Sequence, residues 1–173
     1  MHEQLQPMLP GFYSDPSICR AGDTYYLTTS TFEYFPGCPL FRSANLVDWE
    51  QIGYILERPE QLPLEGAVIS GGIYAPTLRH HDGRFYCITT NQSAPRPPGG
   101  GSFIVHADDP AGPWSDPVWI DGMHGIDPDL FWDEDGTCYV QWSLRVPPRR
   151  GPDDICIGQA TIDPLTGRLL EDP

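Results

Sequence analysis

No lysine occurs among the 173 residues, and ten arginines stand against 24 acids for a net charge of −14. Nucleic acid and anionic membrane surfaces reward clustered positive charge, so neither is an expected partner. The acidic excess reads instead as a solvated, solubilising surface. Long apolar runs are missing too: nothing approaches the ~18 consecutive apolar residues of a membrane-spanning helix. Residues 1–10 contain no basic stretch leading into an apolar run, so no secretory leader is expected. The five cysteines (Cys19, Cys38, Cys87, Cys138, Cys156) include no Cys-x-x-Cys pair, and their number is odd. Reduced thiols in a cytoplasmic protein are the expectation. His80, His81, His106 and His124 lack ligand-like spacing and read as ordinary surface or loop histidines, so neither a metal nor another cofactor is expected. No segment sustains a 3.6-residue apolar period, which leaves little room for helix.

What the chain does have is glycine and proline, 18 and 20 residues, roughly 22% where average usage gives about 12%. With 39% hydrophobic residues, that excess means turns rather than disorder. The turns punctuate a repeat. Asp15-Pro16-Ser17-Ile18-Cys19 leads through Gly22-Asp23 to Tyr25-Tyr26-Leu27. Pro76-Thr77-Leu78 leads through Asp82-Gly83 to Phe85-Tyr86-Cys87, and Pro128-Asp129-Leu130 through Asp135-Gly136 to Cys138-Tyr139-Val140. Each is a short strand, a tight turn and a second strand. Units of this length made of strands point to an all-β fold, a β-propeller of four-stranded antiparallel blades. Three blades are expected, over residues 15–56, 76–120 and 128–170. Cys87 shares a slot with Leu27 and Val140 and reads as an apolar core filler. Residues 95–101 are rich in proline and glycine but lack the Gly-Lys-Ser/Thr ending of a phosphate loop, so they read as a plain loop.

The innermost strand of each propeller blade lines the central channel. The residue before each repeat's proline should therefore sit at one channel mouth, and those residues are Asp15, Ala75 and Asp127. Asp109-Pro110 and Asp163-Pro164 fall in outer-strand turns and read as turn starters. Two carboxylates converging on one axis, with aromatics nearby, suit glycoside hydrolysis, where one carboxyl acts as base and another as acid.

Four stretches carry a resemblance. Pro10-Gly11-Phe12-Tyr13-Ser14-Asp15-Pro16-Ser17, Ser30-Thr31-Phe32-Glu33-Tyr34-Phe35-Pro36-Gly37, Gly71-Gly72-Ile73-Tyr74-Ala75-Pro76 and Gly125-Ile126-Asp127-Pro128-Asp129-Leu130-Phe131 together resemble glycoside hydrolase family 43, in its β-xylosidase and α-L-arabinofuranosidase branch. The resemblance implies a five-bladed propeller and an inverting mechanism on xylo- or arabino-oligosaccharides. By position it makes Asp15 the general base and Asp127 the carboxylate that modulates the acid's pKa. Phe32, Tyr74 and Ala75 match residues lining the sugar pocket. Tyr74 stands where xylosidases often carry tryptophan. The family's acid glutamate falls on a fourth blade, beyond Pro173, so residues 1–173 are expected to be the N-terminal three blades of a longer propeller. The resemblance also allows a homo-oligomer of the full-length protein. The alternatives are a non-catalytic carbohydrate-binding propeller fragment and an interaction propeller of the WD or kelch kind, whose signatures are absent.

Overall fold

The computed structural model describes residues 7–93, 101–145 and 155–171. The expected loop at residues 95–101 lies outside them except for Gly101. Among the described residues are twelve strands: β1 (Ser17–Ala21), β2 (Thr24–Thr28), β3 (Gly37–Ser43), β4 (Glu50–Leu56), β5 (Thr77–His81), β6 (Arg84–Asn91), β7 (Gly101–Ala107), β8 (Val118–Trp119), β9 (Ile126–Trp132), β10 (Cys138–Arg145), β11 (Ile155–Asp163) and β12 (Arg168–Leu169). They form three antiparallel sheets in the orders β1-β2-β3-β4, β5-β6-β7-β8 and β9-β10-β11-β12. These are three blades of a β-propeller, and the described residues contain no helix. The strand limits match the sequence reading within a few residues. The outermost strands β8 and β12 are shorter than expected, two residues each.

Hairpin turns and strand periodicity explain the blades. Ser17 pairs with Thr28 and Ala21 with Thr24, and the turn between uses Gly22 at φ 59°. In blade two the equivalent turn is Asp82-Gly83, with φ values of 48° and 77°. Positive φ at both central residues matches the strands' right-handed twist, and Asp-Gly is well suited to it. Directly paired residues share a face of the sheet. Leu78, Cys87 and Val105 are paired neighbours on the face that blade one covers, with Cys38, Leu40 and Ile55 in the same buried cluster. Ile88 and Ile104 lie on the opposite face and pack with Leu130, Val140, Trp142 and Ala160 of blade three. Blade two is thus buried on both faces.

Cys87 is fully buried as a core filler. Burial pushes the Cys19 and Cys138 thiols up to about 12, and none of the five cysteines is paired in a disulfide. Near the axis, β5 lies beside both β1 and β9. There the Leu78 N–H donates to the Ser17 hydroxyl at 3.0 Å. Arg79 bridges to blade three, donating to Asp129 Oδ2 at 2.7 Å and to the Leu130 carbonyl at 3.1 Å.

Candidate active site

Asp15 and Asp127 enter the innermost strands of blades one and three from the same repeat position. Both have left-handed backbones, at φ 52° and 56°. Few residues other than glycine populate this region, and aspartate is among those that do. Each aspartate is followed by a proline that starts the descent of its strand. Ala75, in the equivalent place of blade two, is half-buried and has no positive φ.

The two carboxylates differ in their surroundings. The Ser30 hydroxyl donates to Asp15 Oδ2, and the Ser30 N–H donates to the Ser14 carbonyl at 2.9 Å. Among the described residues no side-chain donor reaches Asp127. Partial desolvation, and after it the negative charge of Asp15, push the Asp127 carboxyl above the ordinary aspartate value. Asp15 is therefore near enough for its charge to act on Asp127, and the two share a left-handed backbone conformation.

An aromatic arc completes the mouth. Phe32 lies 5.9 Å from Tyr74 and 5.8 Å from Phe12, centroid to centroid. The Phe32 backbone also ties blade one to blade two: its N–H donates to the Ile73 carbonyl at 2.9 Å and its carbonyl accepts the Ile73 N–H at 3.0 Å. Gly72 permits that approach, because a Cβ there would come within 2.1 Å of the Phe32 oxygen. On the blade-two side, the Thr89 hydroxyl donates to the Tyr74 carbonyl at 2.7 Å. Tyr74 borders a cleft of about 440 Å³ shared with His124, Gly125, Ile126 and Ser143, directly beside Asp127. Phe12 and His124 were not signalled as mouth residues by the sequence pattern. Glu33 is engaged in structure: its carboxylate accepts the Ser70 N–H at 3.0 Å. Among the described residues no cluster of His, Cys, Asp or Glu has the grouping of a metal site.

The sequence profile of the glycosyl hydrolases family 43 matches residues 5–166. This chain belongs to family 43. It is 54% identical over 151 residues to a xylosidase/arabinosidase of Butyrivibrio fibrisolvens, covering 86% of this chain and 27% of that protein. It is 48% identical to a non-reducing end α-L-arabinofuranosidase of Bacteroides ovatus, covering 95% of this chain and 29% of the relative. Among solved structures, a xylan β-1,4-xylosidase from Bacillus halodurans superposes with a TM-score of 0.85 at 37% identity, over 95% of this chain and 32% of that one. The chain therefore spans under a third of the length of these family 43 relatives. Its blades carry the two strand-entry aspartates and the aromatic arc of the candidate site.

Proposed function

We propose that this chain supplies the base-bearing part of an inverting glycosidase site for xylan-derived oligosaccharides, as a β-xylosidase, an α-L-arabinofuranosidase or both. The observation that carries the reading is the pairing of Asp15 and Asp127: equal repeat positions and backbone conformation, but unequal electrostatics. An inverting glycosidase needs an ionised base and, on a separate group, a protonated acid at neutral pH. Asp15, with a hydrogen-bond donor stabilising its charge, is the general base that takes a proton from the water attacking the anomeric carbon. Asp127 is the neighbouring carboxylate whose charge keeps the acid's pKa raised. Phe32 and Tyr74 offer ring faces to the sugar, and Ala75 occupies the equivalent slot of blade two without adding a third carboxylate.

The general acid belongs, in this reading, to a part of the protein outside residues 1–173, which form the first three of five blades. The named activities of the relatives support the substrate class. Positioned acid catalysis is typically worth about 10²–10⁴-fold. The purified chain should accordingly cleave aryl xylosides or arabinosides with acidic phenols before it cleaves xylobiose. Asp15→Asn should remove whatever turnover is seen, and proton NMR of the first product should show the inverted anomer. Xylobiose hydrolysis at about 1–10³ s⁻¹ would overturn the assignment of the acid, and a retained anomer would overturn Asp15 as base.

A further inference from the structure

We propose that Ser30 is a positioning residue for Asp15, fixing the rotamer of that carboxylate at the channel mouth. The proposal deepens the reading of Asp15 as general base and rests on it. Ser30 follows β2 directly and is 2% exposed, so water does not compete for its hydroxyl. That hydroxyl carries one proton, and the proton goes to Asp15 Oδ2. Hydrogen bonds to an ionised acceptor are roughly twice as strong as neutral ones. The backbone of the same residue holds the Ser14 carbonyl at 2.9 Å. Ser30 thus holds the main chain of Ser14 and the side chain of Asp15.

The repeat supplies an internal control. In blade two the equivalent of Asp15 is Ala75 and the equivalent of Ser30 is Thr90. With no carboxylate to serve, the Thr90 hydroxyl pairs with the Ser102 hydroxyl at 2.9 Å. In blade three the same slot holds Ser143, which makes no bond to Asp127 among the described residues, so blade one is where this hydroxyl meets a carboxylate. In blade three, Asp127 has no side-chain donor among the described residues, which suits a group that acts by charge alone. A base differs, because a misplacement of about 1 Å can cost on the order of 10²-fold in rate. Oδ2 accepts from Ser30, and among the described residues no side-chain donor occupies Oδ1.

Three-bond couplings about the Asp15 Cα–Cβ bond, measured by NMR on the labelled 173-residue chain, test this without turnover. Single-rotamer couplings are expected in the wild type and in Ser30→Thr, which keeps the hydroxyl. In Ser30→Ala the couplings should average, with the amide spectrum of blades two and three unchanged. Averaged couplings in the wild type or in Ser30→Thr would overturn the proposal, as would a single rotamer in Ser30→Ala. The wild-type spectrum alone can refute it, so a variant that fails to fold does not shelter it. Because no catalysis is read, failure here leaves Asp15 standing as base, and absence of turnover leaves this positioning role standing.

Discussion

Blade one and blade three reach the channel mouth by the same backbone path and arrive with the same side chain, yet the two aspartates have different chemistry. Asp15 has a buried hydroxyl to lean on. Asp127 has only partial desolvation and the charge of Asp15, both of which disfavour its ionised form. A repeat therefore duplicates geometry more readily than electrostatics. The slot fixes where a carboxylate sits, and its neighbours from other strands fix what that carboxylate does.

The open faces differ in the same way. Ile18, Leu78 and Leu130 hold equivalent positions, but Ile18 is 45% exposed whereas the other two are fully buried. Each of the latter has a preceding blade against it. Leu27 and Phe41 escape exposure in blade one partly because Tyr13 packs edge-on against Phe41 at 5.3 Å. Among the described residues blade three has no such arm over its outward face, where Phe131, Ile155 and Ile157 stand in the open.

The largest effect expected from breaking this comparison comes from Gly72 and Gly125, each pressed against a neighbouring backbone carbonyl. A Cβ on Gly72 would meet the Phe32 carbonyl at 2.1 Å, and one on Gly125 the Ser143 carbonyl at 2.0 Å. Both glycines also have positive φ, 84° and 147°. Gly72→Ala and Gly125→Ala should each lower stability by at least about 2 kcal/mol. For a chain of this length that corresponds to ~4–8 °C in Tm. Gly72→Ala should disturb the Phe32 and Tyr74 resonances first, and Gly125→Ala those around Asp127. Melting within about 1 °C of wild type would mean the close approaches relax easily and do not hold the mouths.

A smaller effect should follow from the unequal faces. Apolar faces that blades normally bury against neighbours promote association when left open. The chain should self-associate in sedimentation experiments at micromolar concentration. Substituting Phe131 and Ile157 by serine should shift it towards monomer more than Ile18→Ser does. Equal effects from both faces, or a monomer throughout, would remove the distinction drawn between them.

Local pattern carried most of the fold, because it resides in local chemistry. The turn dipeptides Gly22-Asp23 and Asp82-Gly83, the alternation along β5 and β6, and the Asp-Pro entries each act within a few residues of themselves. The site was legible to the extent that it rests on repeat position, which covers Asp15 and Asp127. Its supports were not. Ser30 reaches Asp15 across 15 residues, Glu33 holds Ser70 across 37, and Phe12 joins Phe32 across 20. These partners meet through loops whose course depends on the packing of whole blades, and no period or turn signal specifies such meetings. Glu33 shows the risk: by composition it could serve as a donor, but its carboxylate secures the Ser70 N–H instead.

Removing the charge of Asp15 sharpens the contrast between the carboxylates themselves. Asp15→Asn should lower the titration midpoint of Asp127, followed by carboxyl-carbon NMR. The midpoint should stay above the ordinary aspartate value, because desolvation is the larger cause and remains. An unchanged midpoint would mean the two groups do not interact across the mouth.

The smallest expected effect is on stability, and its sign is opposite to that of most substitutions. The folded chain holds Asp127 above the value of 3.8 it has when free, so folding favours the protonated form. That contribution is fully present below pH 3.8 and is lost as pH rises through the raised midpoint. At neutral pH the ionised carboxylate is thus a small liability to the fold. Asp127→Asn, nearly the same shape without the charge, should raise Tm at pH 7 by ~1 °C, kept small by solvent screening of a partly exposed group. The gain should shrink as pH falls through the raised midpoint and vanish below 3.8, where both side chains are neutral. Scanning calorimetry on the two chains from pH 3.5 to 7.5 measures that difference. A difference that stays constant with pH would mean it arises from packing rather than charge, and a loss of stability at pH 7 would mean Asp127 gains more from unseen donors than desolvation takes away.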